Sequence, residues 1–185
     1  MSEEFKAGYV SIVGKTNAGK STLLNNILGQ KIAITSRKPQ TTRHRFLGIK
    51  TEGNHQIIFV DTPGFHSGQK RALNRYMNKI ATNAMRGVDI VLYVVDNLNW
   101  SEEDLERVQS ISHETSIILV INKTDKLNDK NLLLPFIEER SKDSVFSHII
   151  PISALKSIGV EELVGLVNDK LPLGSHLYPE DQVTN

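Results

Sequence analysis

The chain has 185 residues, 39% of them hydrophobic, and a formal charge of +1, which fits one globular domain able to bury roughly two-thirds of its unfolded surface. It contains no cysteine, so disulfides, zinc–cysteine centres and thiol catalysis are excluded. The acidic, polar start Met1-Ser2-Glu3-Glu4-Phe5-Lys6 and apolar runs of strand length predict neither a leader nor a membrane-spanning helix.

In chain order, an apolar strand over residues 9–13 precedes a helix over 20–28, and strands follow over 46–51 and 56–60. Then come a helix near 67–85, a strand over 89–95, a helix over 101–111 opened by the capping sequence Ser101-Glu102-Glu103-Asp104, and a strand over 116–121. A helix over 130–140, a strand over 148–152 and a helix over 160–171 complete the series. Alternation of this kind predicts βαβ units, and central strands that are apolar throughout predict helices on both faces of the sheet. The expected fold is α/β, a six-stranded, mostly parallel sheet over residues 1–172. Residues 172–185 carry two prolines and a glycine without helical period, so 173–185 is expected to be a tail or linker.

The small net charge hides an asymmetry. From Lys31 to Arg86 eleven Lys/Arg face two acids, a net +9, whereas from Gly87 onward eight Lys/Arg face seventeen acids, a net −9. One region can therefore present a cationic face to an anionic partner, or simply a solvated charge.

The sharpest motif is Gly14-Lys15-Thr16-Asn17-Ala18-Gly19-Lys20-Ser21, followed by Thr22. It is a complete G-x-x-x-x-G-K-S between a strand and a helix, the arrangement of a P-loop NTPase. Its glycines let the backbone turn N–H groups around a phosphate, and the helix N-terminus adds its positive end. Lys20 is expected to reach the β- and γ-phosphates, with the Ser21 hydroxyl as a ligand for Mg²⁺.

Choice of base requires a second element, and Asn122-Lys123-Thr124-Asp125 follows the strand over 116–121, at the carboxyl end where ligands gather in open α/β sheets. Asp125 can accept from both N1–H and the 2-amino group of guanine, donors that adenine lacks in that arrangement. Lys123 is expected along the base plane, and Asn122 as a tie to the P-loop. Ser153-Ala154-Leu155, after the last strand, is expected to offer a backbone contact to guanine O6.

Asp61-Thr62-Pro63-Gly64 follows the strand over 56–60; it is expected to place Asp61 near Mg²⁺ and the Gly64 N–H near the γ-phosphate. Thr42, in the polar segment 35–44, is expected to complete the metal shell. The metal set is therefore Ser21, Thr42 and Asp61, and the groups acting on the γ-phosphate are Lys20, Thr42, Gly64 and Asn17. Loss of the γ-phosphate is expected to release both segments.

With these motifs in this order the chain resembles the translation-factor type of small GTPase and, within the TrmE-Era group, the Era family of bacterial ribosome-assembly GTPases. The segment Gln30-Lys31-Ile32-Ala33-Ile34-Thr35-Ser36-Arg37-Lys38-Pro39-Gln40-Thr41-Thr42-Arg43-His44-Arg45 resembles that family's first switch. Asp61 to His66 resembles its second switch, and Tyr178-Pro179-Glu180-Asp181 the approach to its second domain. The likeness spans essentially the whole chain. It implies GTP and GDP as ligands, ribosomal RNA and the 30S subunit as partners, and a cytoplasmic monomer with peripheral contact to the inner membrane. The family carries an RNA-binding KH domain beyond this point, and no Gly-x-x-Gly turn lies downstream here, so the resemblance implies a GTPase domain without its KH domain.

Ras-like enzymes orient the attacking water with a glutamine after Asp-x-x-Gly. Phe65 stands there in this chain and can neither donate nor accept, so slow intrinsic hydrolysis is expected. The resemblance suggests that Asn17 helps hold K⁺ beside the phosphates; completion of the site by a partner is the other route, and a nucleotide-gated RNA scaffold with negligible hydrolysis is the alternative function. Arg37, Lys38, Arg43, Arg45, Lys70, Arg71, Arg75 and Lys79 are the expected surface for RNA phosphates or anionic lipid. The six histidines lack metal-ligand spacing, Trp100 reads as a loop packing residue, and Leu132 to Leu134 with Phe136 and Ile137 read as a core face.

Overall fold

The sheet-forming segments are rich in Val and Ile, whose branched side chains suit a pleated surface covered on both sides. The computed structural model describes residues 4–29, 45–61, 87–111 and 113–178. Within them run β1 (Lys6–Gly14), β2 (Arg45–Glu52), β3 (His55–Asp61), β4 (Ile90–Asp96), β5 (Ser116–Asn122) and β6 (His148–Pro151). The helices are α1 (Lys20–Leu28), α2 (Glu102–Gln109), α3 (Leu133–Arg140) and α4 (Val160–Lys170). The helix expected near 67–85 lies outside the described residues.

The strands form one sheet in the order β2-β3-β1-β4-β5-β6. β2 runs antiparallel to β3 and every other neighbouring pair is parallel, as the alternation of elements predicts. The exception has a local cause. Only Gly53-Asn54 separates β2 from β3, with Gly53 at φ 56°, and so short a loop can join only antiparallel neighbours.

Alternate residues of the parallel strands face opposite layers. On one side Val10, Phe59, Leu92, Val120 and Ile152 pack with Leu23 and Ile27 of α1 and with Val160, Leu163 and Val167 of α4. On the other, Val13, Ile58, Tyr93, Leu119 and Ile121 pack with Val108 of α2 and with Leu133, Phe136 and Ile137 of α3. Trp100 closes the second layer edge-on to Tyr93 (6.0 Å) and Phe146 (5.7 Å), with the Arg140 guanidinium 5.2 Å from its ring centre.

α3 begins later than the sequence pattern suggests, after a short 3₁₀ turn over Lys130–Leu132. Pro135 explains the delay, since a helix already running at residue 130 would place the proline in its interior, without an N–H and against a carbonyl. Of the apolar residues expected on a core face here, Leu132 and Leu134 instead point to solvent, at 54% and 63% exposure.

β1 starts before residue 9 because two other segments pair with its first residues. The Lys6 N–H donates to the Asn54 carbonyl (2.8 Å), and the Ala7 N–H to that of Pro172 (3.1 Å). Residues 173–178 follow the same edge: Leu173 bridges Lys6, Gly174 N–H donates to the Phe5 carbonyl (2.9 Å), and His176 stacks on Phe5 at 3.8 Å.

A fully buried Gln56 anchors the end of this segment. Its Oε1 accepts from the N–H groups of Leu177 (2.9 Å) and Tyr178 (3.0 Å), while its Nε2 donates to the Tyr178 carbonyl (2.8 Å) and the Thr51 hydroxyl (3.2 Å). Gln56→Leu strands three backbone groups at once, so unfolding in urea should show a loss of about 2 kcal/mol. Amide exchange should speed up selectively at Leu177 and Tyr178.

Candidate functional site

The carboxyl ends of β1, β4 and β5 lie side by side, with Gly14 paired to Val94 and Asp96 paired to Asn122. Loops leaving these ends therefore converge on one edge of the sheet. The first is the glycine-rich loop. Gly14 has φ 143° and Gly19 has φ 93°, and a Cβ on either would sit 2.1 Å from the Val94 carbonyl oxygen or 2.2 Å from Asn122 Nδ2. Only glycine satisfies both the backbone and the approach.

α1 starts immediately after Gly19, with no side-chain cap and no acid in its first turn. A helix start of this kind suits an anion. Lys20 Nζ donates to the carbonyls of Gly14 (2.9 Å) and Lys15 (2.6 Å), and partial burial pushes its ammonium below the usual lysine value. Ser21 and Thr22 are exposed at the start of the helix, as are Thr16 and Asn17 on the loop, whereas Ala18 is buried. Asn17 adopts φ 64°, a left-handed conformation that asparagine tolerates better than most residues.

The second loop follows β5. Asn122 is buried and bridges the two loops: its Nδ2 donates to the Ala18 carbonyl (2.9 Å) and its Oδ1 accepts from the Ala154 N–H (2.9 Å). Lys123, at φ 62°, donates to the Asn17 carbonyl (2.6 Å) and to Asp96 Oδ2 (2.7 Å). The buried Ser153 hydroxyl donates to Asp125 Oδ1 (2.6 Å), and this hydrogen bond holds the Asp125 carboxyl below the ordinary aspartate value. Asp125 is therefore an ionised acceptor at neutral pH. Thr124 fixes the turn through its N–H (3.1 Å) and hydroxyl (2.9 Å), both donating to the Ile152 carbonyl.

Gly19, Thr22, Asn122, Lys123, Asp125, Lys126 and Leu155 line one cleft. Residues of the glycine-rich loop and of the loop after β5 thus share a cavity although about a hundred residues separate them. The Ala154 N–H is committed to Asn122, and the exposed Leu155 stands at the mouth of the cleft. Asp61 ends β3, at the same edge of the sheet, because Val60 pairs with Ser11 of β1. Its side chain, Thr42, Thr62, Pro63, Gly64 and Phe65 lie outside the described residues.

Of the expected cationic surface, Arg45 falls in β2 by its backbone. Its side chain and Arg37, Lys38, Arg43, Lys70, Arg71, Arg75 and Lys79 are likewise outside the described residues. Among the described residues no helix is long and apolar enough to cross a membrane, and none form a ready-made cluster of metal-ligating side chains.

Sequence reasoning overlooks four residues at this edge. Asp96 pairs with Lys123, Lys126 lines the cleft, and Asn26 of α1 holds the base loop by donating to the Ala154 carbonyl (2.8 Å) and Ser157 hydroxyl (2.6 Å). Asp104, which the sequence marks only as a helix-capping acid, forms an ion pair with Lys15 (2.7 Å). A carboxylate at the end of the strand before the base motif was the available signal for Asp96; nothing local marks Asn26.

Known proteins resemble this chain in sequence and fold. The family model for 50S ribosome-binding GTPases matches residues 9–123. GTPase Era of Marinobacter nauticus is 54% identical over 185 residues, covering 98% of this chain and 60% of that protein. GTPase Era of Azotobacter vinelandii is 52% identical over 190 residues, covering 100% of this chain and 63% of the relative. The chain thus spans about 60% of the length of the curated relatives it matches.

Among solved structures, Era in complex with MgGDPNP and nucleotides 1506–1542 of 16S ribosomal RNA is similar at a TM-score of 0.76 and 43% identity, over 96% of this chain and 61% of that one. A single-residue variant of Aquifex aeolicus Era bound to GDP and AlF4⁻ is similar to the same degree. A glycine-rich loop between β1 and α1, a second loop tied to it through Asn122 and a family match over more than half of the residues lead to one conclusion: the chain belongs to the family of 50S ribosome-binding GTPases.

Proposed function

We propose that this chain binds GTP and hydrolyses it to GDP and phosphate, acting as a nucleotide-dependent switch. The observation that carries the reading is Asn122, whose two hydrogen bonds, to Ala18 and Ala154, bring the phosphate loop and the base loop into one cleft. In this reading Gly14 to Thr22 cradle the phosphates, and Lys20 exchanges its two loop carbonyls for phosphate oxygens. Asp125 accepts from guanine N1–H and the 2-amino group, Lys123 lies along the base, and the Ser153-Ala154-Leu155 loop serves O6.

A hydroxyl such as that of the exposed Ser21 and a carboxylate such as that of Asp61, the residue that ends β3, are the hard oxygen ligands that Mg²⁺ selects. Ser21, Thr42 and Asp61 would hold the ion, which would neutralise charge on the phosphates when bound. Thr42 and Gly64 would sense the γ-phosphate, and their segments would be released after hydrolysis.

With Phe65 in place of a water-orienting glutamine, hydrolysis is expected to be slow, with turnover raised by K⁺ near Asn17. The exposure of Asn17 on the loop supports its access to such an ion. Single-turnover hydrolysis of GTP with Mg²⁺ checks this. Measurable GDP formation, faster in K⁺ than in Na⁺ at equal ionic strength, is the expected result. Equal rates in the two salts would remove K⁺ from the mechanism, and no GDP over hours in either would remove hydrolysis itself.

The likeness to Era bound to a 16S ribosomal RNA fragment supports a role of the whole protein in assembly of the small ribosomal subunit, with ribosomal RNA as partner. The net +9 between Lys31 and Arg86 supports a contribution of this domain to phosphate contacts. Such binding should weaken steeply with salt. The corresponding place of action is the cytoplasm, with peripheral contact at the inner membrane through the same cations.

A further inference from the structure

Lys15 belongs to the phosphate loop, yet its side chain does not join Lys20 there. It crosses to the β4–α2 connection, where Nζ meets Asp104 Oδ2 at 2.7 Å and accepts no competition from water on the carboxylate side, because Asp104 is fully buried. The same Oδ2 accepts from the Ser101 N–H (2.8 Å) and hydroxyl (2.7 Å), and Oδ1 accepts from the Tyr93 hydroxyl (2.9 Å). Ser101 Oγ in turn accepts from Lys15 Nζ (3.1 Å).

Burial alone would push the Asp104 carboxyl up, but hydrogen bonds from Lys15, Ser101 and Tyr93 outweigh it and hold the group below its ordinary value. Burial and the adjacent Asp104 charge push the Tyr93 phenol up, which keeps it a hydrogen-bond donor.

This arrangement immobilises one peptide of the loop from three directions. Gly14 is packed against Val94 in the sheet, the Lys15 carbonyl accepts from Lys20 Nζ (2.6 Å) and the Ala18 N–H (3.3 Å), and the Lys15 side chain is held by Asp104. Removing the third restraint leaves this peptide held only by the sheet and by the two hydrogen bonds to the Lys15 carbonyl.

We propose that Asp104 is a positioning residue for the nucleotide, holding the phosphate loop in its binding conformation through Lys15, with Ser101 and Tyr93 fixing the carboxylate. The inference rests on the GTP-binding reading above. It assigns to the first turn of α2, outside every nucleotide motif, control over how tightly and how long a nucleotide is held.

The test uses the full chain and GDP carrying a fluorescent N-methylanthraniloyl group. Lys15→Met and Asp104→Asn each leave a buried group unpaired and should destabilise the fold. The double variant Lys15→Met/Asp104→Leu removes both charges and should recover part of the lost stability, the remainder being the cost of the Tyr93 hydroxyl and Ser101 N–H left without their acceptor. Despite that recovery, its affinity should stay about tenfold below that of the unaltered protein, the equivalent of one ordinary hydrogen bond, with faster dissociation. Lys15→Arg, which keeps the charge and the reach to Asp104, should bind within about threefold of the unaltered chain. Val108→Ala, on the buried face of α2, should lower stability and leave affinity unchanged.

A double variant, or a Tyr93→Phe variant if the double one does not fold, that binds and releases the probe as the unaltered chain does would overturn the proposal. A loss of affinity in Val108→Ala equal to that of the Asp104 variants would also overturn it, by reducing the effect to general destabilisation. Failure of the unaltered chain to bind the probe would instead defeat the nucleotide-binding reading, so the two failures are distinguishable.

Discussion

Asp125→Asn should lower the affinity for GDP and GTP by about 10²- to 10³-fold, because the amide can accept from only one of guanine's two donors and sets its own NH₂ against the other. Guanine presents two donors on the edge concerned, N1–H and the 2-amino group. A carboxylate matches both, whereas an amide opposes one of them with its own NH₂. Xanthine carries a carbonyl at position 2, so the same amide can accept from N1–H and donate to that oxygen. The variant should therefore gain affinity for xanthosine diphosphate while losing it for GDP.

Competition binding with the two diphosphates checks the reversal. Thermal stability serves as the control and should change little, because Asp125 is only partly buried and Ser153 retains a hydrogen-bond acceptor at the amide oxygen. Unchanged GDP affinity would remove Asp125 from the base site, and with it the main reason for choosing guanine.

The second large effect is expected at Asn122. Asn122→Ala leaves the Ala18 carbonyl and the Ala154 N–H without their partner in a buried place. Each stranded group costs about 1–3 kcal/mol, so a loss near 3 kcal/mol is expected. For a chain of this size that corresponds to a fall of about 6–12 °C in Tm. Asn122→Asp is the sharper probe. It keeps the oxygen that accepts from Ala154 but sets a second oxygen against the Ala18 carbonyl, so it should destabilise at least as much as alanine does. If Asp were better tolerated than Ala, the bridge would not be the element that joins the loops. Nucleotide affinity should fall with stability in both variants, since the phosphate loop and the base loop lose their common strut.

The conversion of sequence into site is uneven, and the unevenness has physical causes. Gly14, Gly19 and Lys20 are legible because backbone conformation and phosphate chemistry restrict those positions to one residue type, whatever surrounds them. Asn122 and Asp125 are legible because their spacing after an apolar strand matches a known motif, in which Asn122 is expected to tie two loops together, as its bonds to Ala18 and Ala154 do, and Asp125 is proposed to read the base. The pairing of Lys15 with Asp104 is not legible. Ser101-Glu102-Glu103-Asp104 reads correctly as a helix start, but three acids stand in that turn and only packing decides that Asp104 alone is buried. Gln56 is similar, for a glutamine within a strand gives no hint that residues 177 and 178 will take three of its four hydrogen bonds.

Local rules also failed where a single residue changed the outcome. Pro135 delays α3 until Leu133, and the apolar run before it is left partly in solvent instead of in the core. The early start of β1 has the opposite origin, since its first residues become a strand only because Asn54, Pro172 and Leu173 come to lie beside them.

By itself, then, the sequence determined the order of the described strands and helices, the two-sided cover of the sheet and the two loops that the fold brings into one cleft. These follow from short-range periodicity and from chemistry confined to a few adjacent positions. Only the tertiary structure decided which distant groups share a proton or a charge: Lys15 with Asp104 and Lys123 with Asp96. Those choices depend on which strands become neighbours, and the value of each pair is set by the burial that the assembled fold imposes on it.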